Sequence, residues 1–371
     1  MASFPARAEL PQRSSLVRRQ ELLRRALWAL IAVAVAFALV WVLFAAPTTG
    51  SVATTFGSAW HDPKDFFITV LDSLTAAGLY FVVASGFSLI FGLMRVVNMA
   101  HGAFFLLGGY IALKIQRSEV GQGGAFGLDS SQVNMAHWVI PAVAATLIIG
   151  GVGLLMQQLF LRWNQGQELR QALITIAIAT ILADLMLPGY LGIGGGVAED
   201  IAWPGKIDTF VNIGSVAYSV ARLFILGIAV GVGILLWFWL KRTRAGMVIR
   251  AGVDDRAMVS ALGINIQLTF AIAFFVGSAL AGLGGVIGGS FASLAPGVDA
   301  NWLLNSLVVV IIGGMGSLGG AAVGALLLGF VSDFSAAYLP SNYTYYSIIF
   351  TFVLVAIVLA VRPLGFFGRE A

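Results

Sequence analysis

The chain has 371 residues, of which 59% are hydrophobic and 10% are charged, with a formal net charge of +4 and a mean hydropathy of +0.94. Soluble domains carry about 25% charged residues, so this composition excludes a soluble enzyme, and its hydrophobicity excludes a disordered chain. Cysteine is absent, which excludes disulfides, thiolate metal sites and cysteine nucleophiles. The sequence therefore indicates a membrane protein, in which a small positive charge reflects orientation rather than nucleic-acid binding.

Long apolar stretches recur along the chain, and a helix needs about 20 such residues to cross a bilayer. They predict an all-α fold, a polytopic membrane helix bundle with about ten crossings, some of them short or re-entrant. The predicted crossings are 26–46, 67–90, 98–115, 138–160, 172–191, 222–240, 267–289, 303–314, 318–332 and 345–361. The glycine run at 313–320 leaves two interpretations open, because 303–314 and 318–332 are either two crossings or one re-entrant pair.

The N-terminal region is basic and then apolar. Six arginines precede residue 26, which predicts a cytoplasmic basic N-terminus over 1–25 and an extra first transmembrane helix with an outer loop over 26–66. The segment Phe44–Pro47 would also suit a signal-peptide end. The apolar run is longer than the ~7–15 residues of a signal-peptide core, which favours a retained helix.

Lysine and arginine are distributed unequally between the two sides of the predicted bundle. With the N-terminus in the cytoplasm and sides alternating, sixteen of the 21 basic residues fall on the cytoplasmic side. Positive loops stay in the cytoplasm, so both termini are predicted to be cytoplasmic. The chain has 45 glycines among its 371 residues, which exceeds the usual share of about 7%. This excess predicts closely packed helices.

Ionisable residues are rare within the predicted crossings, and Asp72 and Asp184 lie nearest to helix interiors. Such residues are candidates for a transport pathway, with burial beside a structural partner as the alternative. Only one of the three histidines, His101, falls inside, which gives little support to a proton relay. Neither a catalytic motif nor a nucleotide-binding glycine loop is present, so the sequence predicts no enzyme, no metal site and no cofactor.

The loop 241–265 is the most charged interior segment. Asp254 is placed to cap a helix, Asp255 favours its N-terminus, and Gly263 suits its end, which predicts a helix of about eight residues. Its apolar face would comprise Met258, Ala261 and Leu262. Because so short a helix is unstable alone, the face needs a partner. The loop is interpreted as a docking element for a cytoplasmic protein, the alternative being a loop that lies on its own bundle.

Residues 87–110, with Arg95-x-x-Asn98-x-Ala100-His101-Gly102 at their centre, resemble the signature of LivH-type permeases of branched-chain amino acid ABC importers. The segments 244–251, 261–265, 313–321 and 362–369 are similar to further motifs of that family. The similarity covers 67–369, which would form a single transmembrane permease domain with 241–265 as its coupling loop. The chain departs from the family at 1–66, which exceeds the shorter members, and at Ala103, where an acidic residue is frequent.

The resemblance implies a permease subunit of an ATP-driven importer that moves branched-chain or related amino acids across a bacterial inner (plasma) membrane by alternating access. Such a subunit is not an enzyme. It would sit in membrane lipid beside a second permease subunit, a paralogue of this chain, with two ATP-binding cassette subunits and a soluble substrate-binding protein. The alternatives are the same class of permease carrying urea, amides or aromatic acids, and an ATP-independent secondary transporter or channel.

The resemblance also assigns residues. Those expected to couple the chain to the ATPase are Arg250, Asp254, Asp255, Met258, Leu262 and Gly263. The candidates for the translocation pathway are Ser88, Asn98 and His101 at the 87–110 motif, together with Asp72 and Asp184 from their positions within the predicted crossings. A second interpretation of the 95–102 motif is that it holds a tight turn between two short helices.

Overall fold

The computed structural model describes residues 63–95, 97–120, 133–187, 198–214, 216–254, 256–338 and 347–368. Nearly all of them belong to one compact unit, which comprises Lys64–Ala337 and Asn342–Ala371. The predicted first crossing, 26–46, lies outside the described residues. The predicted divisions 1–25 and 26–66 fall almost entirely outside them as well.

Eleven α-helices, one π-helical segment (Gln157–Leu161), one 3-10 helix (Arg162–Asn164) and one antiparallel pair of strands make up the regular structure of the described residues. The helices are α1 (Pro63–Met94), α2 (His101–Val120), α3 (Ala136–Met156), α4 (Glu168–Leu185), α5 (Val220–Arg242), α6 (Arg244–Asp254), α7 (Arg256–Ala261), α8 (Ile266–Phe291), α9 (Val298–Gly313), α10 (Leu318–Tyr338) and α11 (Ser347–Val361). The strands are β1 (Phe210–Ile213) and β2 (Val216–Ser219), paired so that Phe210 faces Ser219. The sequence analysis did not predict this hairpin.

Each of the nine predicted crossings from residue 67 onward coincides with one helix. Five helical stretches among the described residues are long and apolar enough to span a membrane: α1, α3 with its continuation to Asn164, α5, α8 and α10. Helices α9 and α11 are shorter and apolar. Helix α10 continues to Tyr338, beyond the predicted end at 332, so its length favours a separate crossing over one half of a re-entrant pair.

Helix α8 lies at the centre of the bundle, packed against α2 and α3. Its small residues permit this, because a Cβ atom on Gly285 would overlap the carbonyl oxygen of Phe105 in α2. In lipid such close backbone approach is a main source of helix association, since burial of apolar surface gains little there. The surrounding core includes Phe104, Ile149 and Phe274, all 1% exposed or less.

The connecting segments meet at two ends of the bundle. At one end, here called the loop end, the segments 95–98, 162–167, 241–265, 313–317 and 362–368 come together. Gln165 and Gln267 exchange amide hydrogen bonds there at 2.8 and 2.9 Å, and Phe367 N donates to Gly313 O at 2.9 Å. At the other end, here called the hairpin end, residues 198–219 pack on the ends of α2 and α8. Gln116 Nε2 donates there to Ala202 O at 3.0 Å.

Candidate functional site

The loop 241–265 folds into two helices, α6 and α7, where one helix was predicted. Thr243 caps α6, because its hydroxyl accepts a hydrogen bond from Gly246 N at 3.1 Å. The predicted cap at Asp254 is wrong, since Asp254 is the last residue of α6 and α7 begins at Arg256. The sequence signal for α6 was present in Thr243 and the apolar spacing after it. The adjacent charges at Asp254 and Asp255 indicate only the second helix.

The predicted helix end at Gly263 is confirmed. Gly263 has a φ of +77°, in the left-handed region, and its amide donates to Ser260 O at 2.9 Å. The next element starts at once, because the Asn265 side chain accepts from Leu268 N at 3.2 Å and caps α8. Helix α7 is therefore joined by a short, well-defined turn to the central helix of the bundle.

The two loop helices are anchored on one side and exposed on the other. Ile249 of α6 and Val259 of α7 are 2% and 4% exposed. Met258 and Leu262, by contrast, are 64% and 71% exposed, and Arg250 is exposed as well. The predicted apolar face of α7 thus points away from the chain's own bundle. The side chains of Asp254 and Asp255 lie outside what the structure describes.

The 95–102 motif forms the turn that leads from α1 into α2. Arg95 has a φ of +56°, and the Asn98 side chain accepts from Ala100 N at 3.1 Å. Met99 N donates to the hydroxyl of Thr175 in α4 at 3.2 Å, which fixes the turn to a third helix. The interpretation as a tight turn is confirmed. The expectation that the flanking helices are short is wrong, since α1 has 32 residues and α2 has 20.

Three of the pathway candidates lie close to this turn and are buried. Asn98 and Ser88 are each 2% exposed, and His101 is fully buried with Nε2 3.0 Å from Val83 O. Ser88 lines a shallow gap between α1 and the start of α10, together with Ser85 and Leu318. The structure therefore buries Ser88 and His101 in the halves of α1 and α2 that are nearer to the loop end, and Asn98 in the turn between them.

Asp72 belongs to a different cluster, at the hairpin end. It forms an ion pair with Arg222, and its Oδ1 accepts a hydrogen bond from the Tyr218 hydroxyl at 2.9 Å. The Tyr218 hydroxyl also lies 3.2 Å from that of Thr75. The sequence analysis did not identify Arg222 or Tyr218. Asp184 takes part in neither group, since it is exposed near the end of α4.

Burial raises the pKa of the Tyr218 hydroxyl to about 12, with the hydrogen bond to Asp72 acting in the same direction. The phenol therefore stays protonated at neutral pH and remains a donor to Asp72. The guanidinium of Arg222 also lies over the Phe291 ring, with 5.8 Å to its centroid. Arg222 thus connects α5 with α1 and with the end of α8.

One protein-family model matches most of the chain. A family model described as "Branched-chain amino acid transport system / permease component" matches residues 69–358. The chain belongs to this family. It is accordingly a permease, a multi-pass membrane subunit rather than an enzyme. Permeases of this class of ATP-driven importer work with ATP-binding subunits and a binding protein.

The chain matches several curated proteins over most of their length. The high-affinity branched-chain amino acid transport system permease protein LivH of Salmonella typhimurium is 26% identical over 310 residues, which is 82% of this chain and 96% of the relative. The corresponding protein BraD of Pseudomonas aeruginosa is 26% identical over 306 residues, with 81% and 95% covered. The ribose import permease protein RbsC of Haemophilus influenzae is 25% identical over 321 residues, with 81% and 88% covered. No solved structure shows a significant match.

Proposed function

We propose that this permease moves branched-chain or related amino acids into the cell by alternating access. The observation that carries the proposal is the match to LivH and BraD along 95% or more of their length. The family match begins at residue 69, which supports a permease domain over 67–369 preceded by a basic segment, 1–25, and an additional span and outer loop, 26–66.

The proposed complex contains a second permease, a paralogue of this chain, two ATP-binding cassette subunits and a soluble substrate-binding protein, all at a bacterial inner membrane. Reconstitution of this complex in liposomes tests the function. We expect ATP-dependent uptake of L-leucine with no comparable uptake of ribose, urea or an aromatic amino acid. Uptake of one of these instead, or flux through the purified chain alone without ATP, would show that the substrate or the transporter class is different.

The loop 241–265 is the proposed coupling element, with Arg250, Asp254, Asp255, Met258, Leu262 and Gly263 as its contact or positioning residues. Support comes from the exposed Met258 and Leu262 on a helix held to the bundle by Val259. The turn at Gly263 then passes a displacement of α7 directly to α8, the central helix. Closure of the ATPase dimer would in this way change the packing of the bundle.

Charge placed on the exposed face tests the coupling. We expect the double variant Met258→Asp, Leu262→Asp to lose co-purification with the ATP-binding subunits and to lose uptake. Ser260→Asp is the matched control, because Ser260 is exposed but lies on the opposite side of α7. Charge reversal at Asp254 and Asp255, or Gly263→Pro, should weaken association as well. Normal association and uptake in the double variant would contradict the assignment.

Ser88, Asn98, His101, Asp72 and Asp184 remain the proposed residues of the translocation pathway. The burial of the first three beside one turn supports a shared role for that group. Substitution of each, with uptake and complex assembly measured together, separates a role in transport from a role in folding. Loss of uptake with normal assembly would support the assignment.

The proposed orientation places the loop end and both termini in the cytoplasm. The chain contains no cysteine, so single cysteines report their side without a background from this chain. Phe210→Cys, at a position 76% exposed in β1, should react with an impermeant maleimide added outside spheroplasts. Leu262→Cys should react only after the membrane is opened. The reverse pattern would invert the topology.

A further inference from the structure

A narrow crevice lies at the loop end, beside the turn that joins α1 to α2. Three polar residues line it: Asn98 of the turn, with Gln171 and Thr175 of α4. Apolar walls are supplied by Met94, Leu161 and Phe274, from α1, the end of the α3 extension and α8. Four separate segments of the chain therefore meet around one small space.

Two polar atoms of these lining residues have no hydrogen-bond partner among the residues that the structure describes. The Asn98 Nδ2 donor and the Gln171 Oε1 acceptor are both buried and unpaired, in residues that are 2% exposed. The other half of each amide is in use, because Asn98 Oδ1 accepts from Ala100 N and Gln171 Nε2 donates to Asn164 O at 2.6 Å. Both side chains are thus held in place while one donor and one acceptor remain open. Buried groups of this kind are costly to leave unpaired.

The chemistry of the crevice selects a class of ligand. It offers one neutral donor, one neutral acceptor and apolar walls, and none of the residues that line it is ionisable. A ligand with a net charge would be penalised there, because no opposite charge replaces its hydration. A molecule that carries an acceptor and a donor close together, with an apolar body and no net charge, fits. An α-amino acid zwitterion with an apolar side chain has these properties.

We propose that this crevice is the closed form of a binding pocket for an apolar α-amino acid, in which Asn98 donates to the carboxylate and Gln171 accepts from the ammonium group. The inference rests on the proposed function and adds the residues that recognise the substrate. Thr175 has a positioning role, since its hydroxyl accepts a hydrogen bond from Met99 N and so holds the turn that carries Asn98.

The crevice is too narrow for a water molecule in this conformation, so ligand access requires its walls to separate. The wall formed by Leu161 is suited to this, because it ends a π-helical segment, Gln157–Leu161, at the end of α3. Such segments are frequent at functional sites. Gln157, in the same segment, is fully buried with both amide atoms unpaired, so a shift of this segment has further hydrogen bonds to gain.

Photo-crosslinking in the whole importer tests the pocket. A diazirine analogue of L-leucine is irradiated with the reconstituted complex during ATP turnover, and adducts on this chain are located by mass spectrometry. We expect adducts on peptides that contain Met94 or Phe274, with at least a tenfold reduction by excess L-leucine but not by leucinamide, which lacks the carboxylate.

The discriminating variant is Asn98→Asp, which keeps the oxygen that accepts from Ala100 N but replaces the donor with a negative charge. It should reduce the adducts and the uptake of L-leucine at least tenfold, with normal assembly of the complex. Ser278→Ala, which removes a buried unpaired hydroxyl elsewhere in α8, should leave both unchanged. Two results would overturn the pocket if the wild-type complex takes up L-leucine. One is that adducts form only outside the crevice, and the other is that Asn98→Asp gives as many adducts as the wild type. Absence of L-leucine uptake by the wild-type complex would instead refute the proposed function, and the pocket assignment with it.

Discussion

Helices α5 and α8 are similar in length and are both apolar enough to cross a membrane, yet they occupy opposite environments. Seventeen of the 26 residues of α8 are buried, whereas only four of the 23 residues of α5 are. Both helices are strongly apolar, yet α5 is the peripheral one. In a membrane, hydropathy identifies a span, but small residues decide which span lies at the centre, because lipid satisfies large apolar side chains as well as protein does.

Glycine substitution should give the largest difference between the two helices. Gly285→Ala places a Cβ against the Phe105 carbonyl and the Gly109 amide, which are backbone groups that cannot move independently. We expect a loss of about 3 kcal/mol or more, seen as a collapsed yield of folded protein or a much lower unfolding temperature in detergent.

Gly231→Ala in α5 is the matched control, since no atom lies within 4 Å of the added Cβ. It should be neutral, or stabilising by up to about 1 kcal/mol through helix propensity. Equal destabilisation by the two substitutions would remove the distinction between a central and a peripheral helix.

Helix N-caps should give an effect of intermediate size. The Asn265 side chain caps α8, whereas Ser219, at the start of α5, makes no side-chain cap hydrogen bond. Asn265→Ala should cost about 1 kcal/mol in thermal unfolding, and Ser219→Ala should cost almost nothing. A larger loss at Ser219 would indicate that α5 is held at its terminus by contacts other than those described.

The ion pair of Arg222 with Asp72 holds the first turn of α5 against α1. Both side chains are partly exposed, at 38% and 28%, so the coupling should be modest, up to about 1 kcal/mol. A double-mutant cycle with Asp72→Asn and Arg222→Gln measures it. A coupling near zero would show that the ion pair contributes nothing to holding α5 against α1.

Alkaline unfolding should reveal a pH-dependent effect at Tyr218. Its folded pKa of about 12 lies above the usual value of 10, so the folded state keeps a proton that the unfolded state loses between pH 10 and 12. The associated stability is present below pH 10 and declines as the pH rises through this window. Tyr218→Phe should therefore lose less stability between pH 10 and 12 than the wild type does. An identical loss would contradict the assigned pKa.

The sequence analysis located the spans and the loop correctly because the signals are local. A run of about 20 apolar residues is visible without any partner, and so is the left-handed turn at Gly263. The division of the loop into α6 and α7 was not predicted. The charged residues around Asp254 indicate only the start of the second helix, and the signal for the first helix, at Thr243, is weaker. The hairpin β1–β2 was also missed, since eight residues give little periodicity.

Sites built from distant residues could not be obtained in this way. Asp72 is a candidate because of its position in a predicted span, but its partner Arg222 is 150 residues away in the chain, so no local pattern connects the two. Gln171 was not predicted as a site residue, because an amide side chain near a helix start is common in any sequence. Only the structure shows that its Oε1 is buried near Asn98 without a hydrogen-bond partner among the described residues.

The sequence by itself determined that the chain is a polytopic membrane protein with a charged loop, since composition and hydropathy set what can be buried in lipid. Its similarity to a permease family rested on the motif at 95–102 and not on composition. The tertiary structure alone decided that α8 is central, that Arg222 pairs with Asp72, and that Asn98 and Gln171 face one crevice. Those outcomes depend on which helix faces approach each other. That choice follows from the joint packing of many small residues and is not visible in any single segment.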